Sequence, residues 1–203
     1  MTISKGSNWG AAGPLPAGSP VATDNASLRA LVVAQRVGGQ VVPIGLTGGD
    51  LHRTIGSPDP GRLSSDGARQ YPIDVVEVTL DEGDPTWFVA HLVAGSSPMW
   101  LRRTVVVMNA AFVGPANLGP KAHPGDGLVD VTDGRVPLGE VAALRGRVGS
   151  GSHVPHPGLA TSRVAALDVV FDRAVPVRLD GGAVGSARRI RCRVLPDAAT
   201  VIS

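Results

Sequence analysis

Apolar positions follow two different periods along this chain. Leu28, Leu31, Val32 and Gln35 fall at helix spacing, and Asp24, Asn25 and Ser27 stand just before them with side-chain oxygens suited to an N-cap. Gly38 and Gly39 offer the left-handed turn that ends such a helix. Val41-Val-Pro-Ile44 is a short apolar run suited to a buried strand, and residues 51–55 fit one or two helical turns entered from Thr47-Gly-Gly-Asp50. Residues 57–70 are dominated by Pro, Gly, Ser and Asp and read as a surface loop or boundary. Beyond it the pattern becomes that of strands, at 73–80, 87–93, 104–108, 128–131, 164–170, 175–179 and 190–194. Turn signals separate most of them: Asp81-Glu-Gly83, Gly95-Ser-Ser-Pro98, Asp126-Gly127, Asp133-Gly134, Asp180-Gly-Gly182 and Pro196-Asp197. Residues 137–145 are the one helical stretch in this half, with Leu138, Val141 and Leu144 on one face.

The expected fold is therefore mainly β with a small α/β N-terminal part, its β region a sandwich or curled antiparallel sheet. The organisation reads as an irregular lead-in at 1–20, docked through Trp9 if at all, an α/β unit at 21–71 and a β-rich domain at 72–203. Composition agrees, because 43% of the 203 residues are hydrophobic but 3% aromatic, so Val, Leu, Ile and Ala must fill the core. The 27 Gly and 17 Pro point to many turns rather than a helical bundle.

Nineteen basic against 17 acidic residues give a net charge of +2 without a basic tract, which offers no electrostatic case for nucleic acid. A single cysteine, Cys192, excludes an intramolecular disulfide and alternates with Arg191 and Arg193, as a core-facing strand residue would. The N-terminus lacks the apolar core of a signal peptide and no run reaches the ~18 apolar residues of a membrane helix, so the expectation is a cytoplasmic protein without a transmembrane segment. His123, His153 and His156 could be read as a metal site, but their spacing matches no firm template and Pro155 and Pro157 favour a loop. Asn25-Ala-Ser27 fits a glycosylation acceptor that has no weight without secretion.

His123-Pro-Gly-Asp-Gly-Leu-Val-Asp-Val131 resembles the Asp-Gly-Leu-Leu-Asp-Val signature of the diacylglycerol kinase and sphingosine kinase-like superfamily, relatives of the NAD kinases. Val105-Val-Val-Met-Asn109 and the Gly-rich approach at 114–120 precede it, as in that family, and Pro176-Val-Arg-Leu-Asp-Gly-Gly182 and Ile190-Arg-Cys-Arg-Val-Leu-Pro-Asp-Ala198 follow in the family's order. Pro43-Ile-Gly-Leu-Thr-Gly-Gly-Asp50 resembles the family's Pro-Leu-Gly-Thr-Gly-Asn-Asp loop, and Ala22-Thr-Asp-Asn-Ala-Ser-Leu28 stands where its Gly-Gly-Asp-Gly-Thr nucleotide loop belongs.

The resemblance implies ATP and Mg²⁺ as cofactors of an active member, with Asp24, Asn25, Ser27, Thr47, Gly48, Gly49 and Asp50 at the nucleotide and Asp126 and Asp180 as catalytic and metal carboxylates on the rim of one cleft. From the residues alone, Asp24 and Asn25 are equally an ordinary N-cap, Thr47-Gly-Gly-Asp50 a strand-to-helix turn, and Asp126 and Asp180 members of Asp-Gly turns. Phosphoryl transfer relies on positioning and charge neutralisation, and glycines let backbone N–H groups reach the phosphates. Here Ala22 and Ala26 stand in the nucleotide loop, Gly49 replaces the family's Asn, and Gly182 replaces an acid. Relative to the family the sequence also lacks a first strand and helix, and elements between Gly95 and Thr104. The expectation is a divergent lipid kinase-like protein with impaired catalysis, acting as a binder of a small-molecule or lipid ligand or as a regulator. The alternatives are an active ATP-dependent kinase for a lipid or other small hydroxyl substrate, and a structural homo-oligomer joined through sheet edges.

Overall fold

The computed structural model describes residues 9–56, 60–96 and 100–203. Parts of the expected lead-in, of the loop after residue 57 and of the turn at 95–98 lie outside the described residues. The chain runs through strands β1 (Ala11–Ala12) and β2 (Val21–Ala22), helix α1 (Asn25–Gly38), strand β3 (Ile44–Leu46) and helix α2 (Gly49–Ile55). A 3-10 turn at Pro60–Ser64 leads into β4 (Arg69–Leu80), β5 (Thr86–Phe88), β6 (His91–Ala94) and β7 (Thr104–Met108). A hairpin of β8 (Phe112–Val113) and β9 (Ala116–Asn117) precedes β10 (Val129–Gly134), helix α3 (Leu138–Val148), β11 (Leu159–Val164), β12 (Ala166–Leu179) and β13 (Gly182–Ile202).

Apart from that hairpin, the strands join in one curled sheet of order β1-β4-β13-β12-β6-β7-β10-β11, with β5 on β4. Its pairs are antiparallel except where β3 runs parallel to β2 and to the last residues of β13, Val201 and Ile202. The mainly β architecture with a small α/β part is thus the one observed, and α3 is the helix within the β-rich region. No helix among the described residues is long and apolar enough to cross a membrane.

Alternation decides which core each side chain joins. Val76 and Val78 of β4, with Ile190, Cys192 and Val194 of β13, point into the curl of the sheet. On the opposite face Ile73, Val75, Ala199 and Val201 pack under Leu28 and Val32 of α1 and Leu51 of α2. β7 is buried along its whole length because both faces are covered: Val105 and Val107 face the curl, while Val106 and Met108 meet Val141 and Leu144 of α3. Burial pushes the Cys192 thiol up to about 12, as befits a core-facing residue.

Helix α1 forms where expected. Asp24 accepts from the Ser27 backbone N–H at 2.7 Å, the Ser27 hydroxyl accepts from the Asp24 N–H at 3.2 Å, and Gly39 ends the helix at φ 70°. Several expected boundaries move. The strand expected from Val41 starts at Ile44, leaving Val41 67% exposed. The run 87–93 is two strands, broken at Val89 and Ala90. Residues 164–170 straddle β11 and β12, and β12 continues through 175–179 across a bulge between Val170 and Val175. Asp133-Gly134 lies inside β10, and Pro196-Asp197 is a bulge inside β13 rather than a turn between strands. The described part of the lead-in docks on the sheet: β1 pairs with β4, and the Trp9 indole donates to Pro72 O at 3.0 Å and packs against Tyr71.

His153 is fully buried and stacked on Trp100 at 5.5 Å, with no hydrogen-bond partner for either ring nitrogen among the described residues. Burial pushes its pKa below the ordinary His value, so the unfolded chain takes up a proton that the folded chain refuses. The stability this neutral imidazole supports is present above about pH 6.5 and is lost as pH falls further. His153→Phe, which keeps a ring against Trp100, should flatten the fall in melting temperature between about pH 6.5 and 5. An unaltered acid limb would show that His153 does not set it.

Candidate functional site

The strands β2 and β3 end side by side and each turns directly into a helix, so the loops 22–25 and 47–50 meet at the carboxyl edge of a parallel pair, where open α/β sheets usually bind ligands. Here the two loops bind one another. Thr47 donates its backbone N–H to Ala22 O at 3.0 Å and its hydroxyl to the same oxygen at 3.3 Å. The Asn25 amide donates to Asp50 Oδ2 at 2.9 Å while its oxygen accepts the Leu51 N–H at 3.2 Å. A Cβ on Gly48 would overlap Thr23 O, and one on Gly49, whose φ is 91°, would lie 2.6 Å from Asn25 Oδ1. Both glycines are therefore used for close approach of backbone to backbone. Asp24 and Ser27 are engaged in the cap of α1, and that hydrogen bonding lowers the Asp24 pKa.

Asp50 is the hinge point of the site. Its Oδ1 accepts the Gly114 N–H at 3.0 Å, which draws the β8–β9 hairpin onto α2, and its Oδ2 lies 3.7 Å from Nδ1 of His91. Arg53 reinforces the same junction, with its guanidinium 3.8 Å from the Phe112 ring centroid and a bond to Gly114 O. His91 is 2% exposed and its Nδ1 has no hydrogen-bond partner among the described residues. Burial lowers its pKa, and the Asp50 carboxylate opposes that shift. The imidazole lines a cavity of about 300 Å³ together with Val93, Thr104, Val113, Arg178 and Gly181. Nothing in the sequence around His91, which directly follows an apolar run, marks it as a site residue.

The two expected catalytic carboxylates have separate surroundings. Asp180, in its tight turn at φ 52°, is buried and accepts three backbone N–H groups: Val89 at 3.0 Å, Ala90 at 2.7 Å and His91 at 3.1 Å. These bonds break the strand expected at 87–93 and hold His91 beside Asp50. Asp126 accepts the Leu128 N–H at 3.0 Å and pairs with Arg163, which also contacts Asp130 at 3.3 Å. Asp180 is thus turned toward backbone donors and Asp126 toward Arg163, and no group of three or more His, Cys, Asp or Glu side chains among the described residues is arranged to hold a metal ion.

A chain of buried hydrogen bonds nevertheless connects the two turns. Gly127 donates to Asp74 Oδ2 at 2.6 Å, the Asn109 amide donates to both Asp74 O (2.9 Å) and Val89 O (2.7 Å), and Val89 donates to Asp180. Asp74 Oδ1 also accepts the Asp197 N–H at 3.0 Å and so holds the bulge of β13. A carboxylate inside the Val-rich run of β4 is the signal that could have singled out Asp74, since such a group must find donors. Burial pushes both Asp74 and Asp180 up to about 6, against the pull of the backbone bonds. The three histidines weighed as a metal site lie apart: His123 against Trp9, His153 against Trp100, and His156 on Glu140 at 2.9 Å.

The family model described as the YegS C-terminal NAD kinase beta sandwich-like domain matches residues 67–203. No curated protein matches the chain in sequence. A solved structure from Bacillus anthracis str. Sterne named as a diacylglycerol kinase superposes with a TM-score of 0.68 at 12% identity, covering 89% of this chain and 76% of that one. A second from the same organism, also named as a diacylglycerol kinase, gives 0.56 at 13% identity over 78% of this chain and 66% of the other. At these identities the likeness is one of fold.

Removing Asp180 strands three buried donors, so Asp180→Ala should cost roughly 2–4 kcal/mol in urea denaturation. Asp126→Asn, which loses a partly exposed ion pair, should cost less than about 1 kcal/mol. Because the folded pKa of Asp180 is raised from 3.8 to about 6, its contribution is complete below about pH 4 and declines as pH rises to about 6. The Ala variant should lose the Asp180 share of that downward slope, while the share of Asp74, raised to about 6 as well, remains. Equal costs for the two variants would contradict the assignment of Asp180 as the structural carboxylate.

Proposed function

Because the chain belongs to the family of the YegS C-terminal NAD kinase beta sandwich-like domain, we propose that it is a divergent diacylglycerol kinase-like protein with impaired phosphoryl transfer that binds a small ligand beside His91. The observation that carries this reading is the closure of loops 22–25 and 47–50 on each other. Their glycines, amides and hydroxyls, which in a phosphate loop would meet a nucleotide, meet one another instead. A triphosphate could enter only by breaking the Asn25–Asp50 and Thr47–Ala22 bonds together.

The cavity beside them is intact. About 300 Å³ falls at the lower end of small-molecule pockets, and its mainly apolar walls carry His91 and Arg178 as polar handles. That combination suits a short acyl chain or similar amphiphile with one polar end. Asp50 couples the cavity to the α/β unit, because it touches α1, the β8–β9 hairpin and His91 at once. Occupancy of the cavity is thereby communicated to the closed loops, which is the basis for a regulatory rather than a catalytic role.

Two measurements test the reading. Transfer of radiolabelled phosphate from ATP and Mg²⁺ to mixed lipids should stay below the ~1–100 per second of working kinases. The melting temperature should be indifferent to ATP and Mg²⁺, whereas a true ligand at about 100 times its dissociation constant stabilises by about 2.7 kcal/mol. A short-chain diacylglycerol should raise the melting temperature of the natural protein and not that of Val93→Trp, whose side chain fills the cavity. Kinase-like turnover, or a shift with ATP and none with the lipid, would replace this reading by that of an active kinase.

A further inference from the structure

We propose that the concavity formed by Arg102, Arg103, Arg135 and Arg173 is a binding site for a phosphate group. The four arginines come from three separate segments: the approach to β7, the exit of β10 and the bulge of β12. They line one hollow of about 460 Å³ floored by Phe171 and Val175, with Asp172 as the acid among its lining residues. Asp133 pairs with Arg103 and Asp172 lies on the lining, but the remaining arginines leave the hollow with a net positive charge on a chain whose formal charge is +2.

Arg103 builds the hollow rather than serving the ligand. Its Nε and Nη2 donate to Asp133 at 2.9 and 2.8 Å, its Nη1 donates to Val170 O at 2.7 Å, and its plane lies 4.9 Å from the Phe171 ring centroid. One side chain thus ties β10 to β12 and fixes the angle between the walls. Arg102, Arg135 and Arg173 are in a different condition, since their side chains have no hydrogen-bond or ion-pair partner among the described residues. Three unpaired guanidinium groups around one hollow offer three forked sets of donors, which suits the several oxygens of one phosphate group.

The hollow also opens sideways. A larger cavity of about 940 Å³ shares Leu101, Arg103, Arg135 and Asp172 with it and continues between Pro137 at the start of α3 and Pro157. This gives room for the organic part of a phosphate monoester. Leu138, 74% exposed on the rim of that cavity, adds apolar surface next to the charge. The shared chemistry is a phosphate carried on an organic group, either a soluble monoester or the headgroup of an anionic lipid. The inference does not depend on the ligand proposed beside His91.

The test uses the double variant Arg135→Ala/Arg173→Ala, which removes two unpaired exposed side chains, with Arg145→Ala/Arg147→Ala on α3 as a control of equal charge change. Calorimetry with glycerol 3-phosphate and flotation with phosphatidylcholine vesicles, with and without phosphatidic acid, read the two sources separately. Binding by the natural protein and the control, weakened at least about tenfold in the double variant, is the expected result. Heat with glycerol 3-phosphate identifies the soluble source, and flotation restricted to vesicles containing phosphatidic acid identifies the lipid headgroup. Absence of binding to both probes by the natural protein, or equal losses in the double variant and the control, overturns the proposal.

Discussion

A carboxylate taken out of water must be met by donors, and in this protein that requirement fixes where strands stop. Asp74 and Asp180 are both buried, and between them they accept N–H groups from a turn, a bulge and the gap between two strands. Asn109 sits between the two and gives its amide to the carbonyls of Asp74 and Val89. The irregular positions of the sheet are therefore the positions at which backbone is turned away from its ladder to solvate these side chains. His91 and the cavity beside it owe their placement to the same bonds, so the candidate site is a by-product of how the core disposes of its charges.

The loops of the α/β unit show how one residue type serves two purposes. Glycine permits close approach, but what approaches is set by the neighbours. With Ala22, Thr23 and Asn25 on the facing loop, the space above Gly48 and Gly49 is filled by protein. Donors and acceptors of each loop are met by the other loop. The geometry of strand, turn and helix does not depend on what lies above the loops, because the helix caps, Asp24 with Ser27 and the left-handed Gly39, are local.

Much of this was legible in the order of the residues. Helix α1 was readable from its cap and its spacing, and β7 from an unbroken Val run that both faces of a sheet can accept. The family resemblance across 105–198 pointed to the curled sheet. What escaped was non-local. The gap after Phe88 exists because Asp180, some ninety residues later, accepts the N–H groups there, and no window around Val89 contains that fact. Asp133-Gly134 looks like a turn by composition, yet its neighbours β7 and β11 pair with it and keep it extended. The roles of Asp126 and Asp180 diverged for the same reason: two Asp-Gly turns alike in sequence differ in whether Arg163 or three backbone amides reach them.

The end of β13 belongs to two parts of the molecule at once, since Val201 pairs in parallel with Ile44 while also facing Tyr71 across the antiparallel ladder. During synthesis, β2, α1, β3 and α2 emerge long before the residues that complete their sheet. Until Val201 appears, the exposed edge of β3 has no neighbour on that side, and Leu28 and Val32 lack part of the surface they will cover. Contacts spanning so much of the chain are slow to form, because loop closure is paid in entropy before the contact repays it. The α/β unit, made before β13, thus lacks part of its sheet and of its core until β13 is in place.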